Sequence, residues 1–118
     1  NHLARLGGEG ATCTKVGTNG KPYDRRIHID ARSLQVEIRG GRSGSTGILI
    51  DDLVDLRKGF ASQEFEQFAA RSKKGLDLAD RSLVLHMPHR TFSLIFSSSV
   101  ACTAFGHSIL FLLRTENR

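Results

Sequence analysis

The sequence predicts a mostly β domain in which seven short strands form near-orthogonal antiparallel sheets, capped by a C-terminal helix, with a short helix inserted between strands 5 and 6. Three observations carry this. Ser82-Leu-Val-Leu-His-Met87 and Arg90-Thr-Phe-Ser-Leu-Ile-Phe96 are β-branched or aromatic runs of strand length, separated only by Pro88-His89, a tight hairpin connection. After Ser97-Ser98-Ser99 the period changes, and Cys102, Phe105, Ile109 and Leu112 or Leu113 recur at three- and four-residue steps, one face of a helix. Upstream the chain offers mainly strands, so this wide apolar face closes a β core and brings Phe105 against the strands around Val36, Leu85 and Leu94.

Residues 1–9 read as a frayed lead-in in which Leu3 and Leu6 can dock, residues 10–114 as the domain and residues 115–118 as a tail. Ala11 to Val16 is a short strand, and Asn19-Gly20 is the strongest hairpin dipeptide in the chain. Tyr23, Arg25, Ile27 and Ile29 alternate with Asp24, Arg26 and His28, which makes a second strand. Asp30-Ala-Arg-Ser33 turns the chain into a third, where Leu34, Val36 and Ile38 share one face. The run Gly40 to Gly47 resembles a phosphate-cradling loop only in glycine content. It lacks the required Gly-Lys-Ser/Thr and is followed by a strand, so it reads as a hairpin loop. Ile48 to Ile50 and Leu53 to Leu56 are strands on either side of Asp51-Asp52. Between Phe60 and Lys74 the signals are helical: Ser62 as N-cap, Glu64 and Glu66 in the first turn, Arg71, Lys73 and Lys74 in the last, and a stop at Gly75. Its apolar stripe of Phe65, Phe68 and Ala69 is narrow, enough to cover a rim of the sheet.

With 118 residues, 39% hydrophobic and 25% charged, the chain has the size and composition of one ordinary domain. Its formal charge is +5, and seven basic residues stand against three acids between Lys15 and Arg42. Such a patch suits phosphate, an anionic lipid surface or an acidic partner, and equally a solvated rim. Cys13 and Cys102 fit neither a disulfide framework nor a zinc spacing, and read as buried thiols in a reducing compartment. The longest apolar run, Ile109 to Leu113, is far short of the ~18 residues of a membrane span. Catalysis finds no nucleophile with its base and no paired carboxylates, and no cofactor is implied. His86 and His89 flank a turn without a nearby Cys or acid, and Asp51, Asp52 and Asp55 lack a calcium-loop spacing, so no metal site is expected. Nucleic acid is not expected either, because Tyr23 alone among the basic residues offers a stacking surface.

The pattern resembles a pleckstrin-homology domain, and within that fold the variety at the N-terminus of phosphoinositide-specific phospholipases C. The resemblance spans roughly residues 10–114. It is carried by Thr14-Lys15-Val16, by Leu49-Ile-Asp-Asp-Leu-Val-Asp-Leu-Arg-Lys-Gly59, by Glu64-Phe-Glu-Gln-Phe68, by the last two strands and by the final helix. Phe105 stands where that family has a core tryptophan, keeping aromatic area without an indole donor. A narrower resemblance, in the Lys15-to-Asp30 and Gly40-to-Gly59 stretches, is to the acylated inner-membrane-complex subcompartment proteins of protozoan parasites.

These resemblances imply a site and a role. The phosphoinositide pocket of the fold would use Lys15 and Arg25, with Lys21 and Arg26 nearby, but Gly17 stands at its second basic position, and Tyr23 and Asp24 stand two residues before Arg25 and Arg26. Each lost charge-assisted phosphate contact forfeits ~1.5–3 kcal/mol, so the pocket is degenerate. The narrower resemblance implies a non-enzymatic scaffold or targeting module at the cytoplasmic face of the inner membrane complex, anchored by myristate and palmitate upstream of Asn1 and acting through a protein partner. Headgroup or weak anionic-lipid binding through Lys15, Lys21, Arg25 and Arg26 is the alternative. Ile109 to Leu113 is more apolar than one buried face requires, which leaves Leu110 and Phe111 as the expected partner-binding residues unless Leu3 and Leu6 fold back over them.

Overall fold

The computed structural model describes residues 11–42, 44–71 and 78–116. Its strands are β1 (Ala11–Val16), β2 (Pro22–Asp30), β3 (Gln35–Arg39), β4 (Ser45–Leu49), β5 (Asp55–Lys58), β6 (Ser82–His86) and β7 (Thr91–Phe96), with helices α1 (Gln63–Arg71) and α2 (Ser99–Glu116). All strand pairings are antiparallel, in the order β4-β3-β2-β1-β7-β6-β5. The two expected sheets are thus halves of one hydrogen-bonded sheet, joined where Cys13 to Val16 pair with Ser93 to Phe96.

Turn chemistry sets these pairings. Gly20 takes φ +78 and donates its N–H to the Gly17 carbonyl at 2.9 Å, which closes the β1–β2 hairpin. Asp30 Oδ1 accepts the N–H groups of Arg32 and Ser33 and turns β2 into β3. The glycine-rich run is the β3–β4 hairpin, with the Gly40 N–H on the Gly44 carbonyl at 2.8 Å. Ile50 belongs to a 3₁₀ turn over Ile50–Asp52 and not to a strand, and the next strand starts later than the sequence suggests, at Asp55. The turn extends through Asp52, so Leu53 and Val54 are spent on the crossing.

That crossing shapes the sheet. Edge strands six spacings apart in a flat sheet would lie about 29 Å from each other. Six residue steps from Leu49 to Asp55 reach at most about 20 Å. The sheet therefore curls until its two halves face each other across a shared core.

The main core lies inside the curl. Ile27, Ile29, Val36 and Ile48 from one half meet Leu83, Leu85, Phe92 and Leu94 from the other. Ser98 Oγ accepts the Ala101 N–H at 3.1 Å and starts α2, which lays Cys102, Phe105, Ile109 and Leu112 over this core. Phe105 is fully buried, its ring 5.1 Å from that of Phe96, in the cluster that holds Val36, Leu85 and Leu94.

Helix α1 does more than cover a rim. Ser62 Oγ caps it by accepting the Phe65 N–H at 3.2 Å, and Phe65 and Phe68 pack on Val16, Val84 and Ile95 on the outer side of the sheet. Both faces of β6 and β7 are buried as a result, which is why these strands are continuous apolar runs. Ala69 is exposed, so the stripe of α1 is the two phenylalanines. The expected Lys73, Lys74 and Gly75 terminus lies outside the described residues.

Candidate functional site

The cationic end of the curled sheet is assembled from β1, β2 and the connection that leads into β7. Lys15 pairs with Tyr23 across β1 and β2, and its ammonium lies 5.7 Å from the centroid of the Phe92 ring. The Arg90 guanidinium sits over the same ring at 4.3 Å. Arg25 lies 5.4 Å from the Tyr23 ring and donates from Nη1 to the Asp24 carbonyl at 2.7 Å. Its side chain runs against the bare backbone of Gly40 and Gly41, where an added Cβ would come within 2.8 and 2.9 Å of it. Burial lowers the Lys15 pKa, and repulsion from Arg90 and Arg25 lowers it further. Three cations thus converge.

The four basic residues expected from the sequence do not all meet there. Lys15 and Arg25 do. Arg26 points to the opposite face of β2, across from Thr12 and Arg39, and Lys21 is exposed on the hairpin turn with its N–H on Asn19 Oδ1. Arg90 was missed because it lies 75 residues from Lys15 in sequence. The available signal was its position at the head of the last strand, which pairs with β1.

The β1–β2 turn does not hang free at this end. A Cβ on Gly20 would meet the Gln67 carbonyl carbon and Cβ and the Phe68 nitrogen, all at 2.9 Å, so the turn rests on the backbone of α1. A loop held this way has little freedom to wrap a headgroup.

The second surface is the outer side of α2. Leu110 is 40% and Phe111 58% exposed, and Val100 at the other end is 71% exposed. From Ser99 to Leu113 this helix contains no Asp, Glu, Lys or Arg, unlike an ordinary solvent face. A cleft of about 350 Å³ opens beside its first half, bounded by Lys58, Asp80, Val100, Thr103, Ala104 and His107. Leu3 and Leu6, the expected cover for Leu110 and Phe111, lie outside the described residues.

Among the described residues, chemistry elsewhere is sparse. A cavity of about 400 Å³ lies between β1 and α1, where Thr12, Thr14, Asp24 and Arg81 meet Phe68 and Ile95. Cys13 borders it, but burial pushes that thiol's pKa up to about 12. Among the described residues no group of three or more His, Cys, Asp or Glu side chains is placed to hold a metal, and no helix is long and apolar enough to cross a membrane.

No protein-family model matches this sequence, and no curated protein does. Solved structures do match. Inner membrane complex sub-compartment protein 1 from Toxoplasma gondii superposes with a TM-score of 0.69 at 17% identity, over 93% of this chain and 86% of that one. Sub-compartment protein 3 from the same organism gives 0.70 at 11% identity, over 100% and 84%. The chain is similar to these proteins in fold: a mostly β, seven-stranded antiparallel sheet closed by a C-terminal helix.

Proposed function

We propose that this domain is a non-enzymatic scaffold or targeting module of the inner membrane complex, acting through protein contacts. The observation that carries the reading is the exposure of Leu110 and Phe111 on a helix that has no Asp, Glu, Lys or Arg from Ser99 to Leu113. Exposed apolar area of that kind on a folded domain marks a docking surface. The fold shared with two inner membrane complex sub-compartment proteins supports the location. Attachment to the cytoplasmic side then falls to myristoyl and palmitoyl groups upstream of Asn1, since one acyl chain alone holds a protein to a membrane only marginally.

The test is Phe111→Ser in the full-length protein. Retained membrane association with loss of sub-compartment position is expected. Unchanged position would remove Phe111 from the docking surface.

A second reading has its own support. Lys15, Arg25 and Arg90 crowd one end of the sheet, where burial and then repulsion from Arg90 and Arg25 lower the Lys15 pKa. An anionic headgroup there would relieve this crowding. Vesicle sedimentation of the 118-residue chain separates the readings. Weak binding that follows total negative charge and fades with salt fits the scaffold. Tight, headgroup-selective binding that survives moderate salt would replace it with lipid recognition.

A further inference from the structure

We infer that the outer side of α2 docks a second copy of this chain, helix against antiparallel helix, about a two-fold axis at His107. The inference rests on the reading of Leu110 and Phe111 as a docking surface and names its occupant. Val100, Thr103, Ala104, His107, Leu110, Phe111 and Arg114 follow one another at steps of three and four, which places them on one side of the helix. All are exposed except Ala104, which is half-buried.

Their sizes are arranged about the centre. Three and four residues before His107 stand Ala104 and Thr103, both small, and three and four residues after it stand Leu110 and Phe111, both large. A two-fold axis at His107 sets Ala104 against the copy's Leu110 and Thr103 against its Phe111, so every bulky side chain meets a small one. The small half also borders the cleft of about 350 Å³, and the large half carries the side chains to fill it. One face thus provides both knob and hole.

The charges match in the same register. Seven residues from the axis, Val100 comes opposite the copy's Arg114. Beside Val100, on the rim of the cleft, stands exposed Asp80, opposite in sign to that guanidinium. Lys58 shares the rim, its Nζ 3.5 Å from Thr103 Oγ1, so its ammonium must swing off Thr103 to admit the copy's Phe111. No foreign partner is needed to explain why the halves of the face differ. A two-fold contact uses each half once on each copy.

Sedimentation velocity on the 118-residue chain tests this over a wide concentration range, with melting curves to confirm that each variant folds. A monomer–dimer equilibrium is expected. His107→Arg places two guanidinia at the axis and should weaken the dimer by about tenfold or more. Asp80→Arg should also weaken it, and Asp80→Arg combined with Arg114→Asp should restore it. If His107→Arg does not fold, Thr103→Arg, which fills the cleft, takes its place with the same expected loss. A monomer at every concentration, a dimer indifferent to these variants, or a double charge reversal no tighter than Asp80→Arg alone would overturn the inference. So would a monomer that binds phosphatidylcholine vesicles through this face. Failure here is distinguishable from failure of the scaffold reading: loss of position by Phe111→Ser in a strictly monomeric protein rejects only the second copy, and correct position of a disrupted dimer rejects only the scaffold role of the face.

Discussion

Gly20 lies on the backbone of Gln67, so close that a Cβ would stand 2.9 Å from the Gln67 carbonyl carbon. The contact ties the β1–β2 turn to α1, two elements more than forty residues apart in sequence. Gly20→Ala meets both this backbone and the penalty of φ +78, roughly 1–2 kcal/mol for a residue with a Cβ. Denaturant titration should show a loss of at least that size. Stability equal to wild type would mean that the turn can leave the helix at little cost.

Phe105 is the centre of the α2 lid, fully buried with its ring tilted 39° to that of Phe96. Phe105→Ala removes a buried ring and leaves a cavity, a cost of about 3–5 kcal/mol. Against the stability of a domain this small that is a large fraction, so the melting temperature should fall steeply. An unchanged melt would place the core-facing side of α2 elsewhere.

What was legible in the sequence follows from which forces act locally. Asn19-Gly20, the serine caps and the three- and four-residue spacing of Cys102, Phe105 and Ile109 are short-range signals, and the structure bears them out. The exposure of Leu110 and Phe111 was legible too, because a helix can bury only one side. What was not legible depends on distant partners. Arg90 meets Lys15 over the ring of Phe92 because β7 pairs with β1, whereas the departure of Arg26 was legible in the alternation along β2. The outer cluster under α1 was hidden because an apolar run buried on both faces reads the same whichever element covers it.

Cys13 and Cys102 are both buried, and burial is the leading cause that raises each thiol's pKa, that of Cys13 to about 12. Reactivity belongs to the thiolate. Both should resist alkylation in the native protein near neutral pH and react fully once denaturant is added. Rapid labelling of either residue in the folded chain would mean that its cover opens readily.

Lys15 supplies the pH prediction. Its folded pKa is below the ordinary value of 10.5 because burial and the neighbouring Arg90 and Arg25 disfavour its charge. Between those two pKa values the unfolded chain binds more protons than the folded one, so stability rises with pH through that window. Below it the penalty is present in full. The ring of Phe92 offsets little of this, because it lies 5.7 Å from the ammonium and already faces Arg90 at 4.3 Å. Lys15→Met keeps the length of the side chain and removes the charge. At pH 7 it should therefore melt above wild type, with the advantage shrinking as the pH approaches 10.5. Pyrophosphate should narrow the same gap by stabilising wild type more than the variant, since an anion at this end relieves more repulsion in a chain that carries all three cations than in one that keeps only Arg25 and Arg90. A variant that melts below wild type at pH 7 would show that Lys15 is stabilised by its surroundings and that no anion is needed to relieve them.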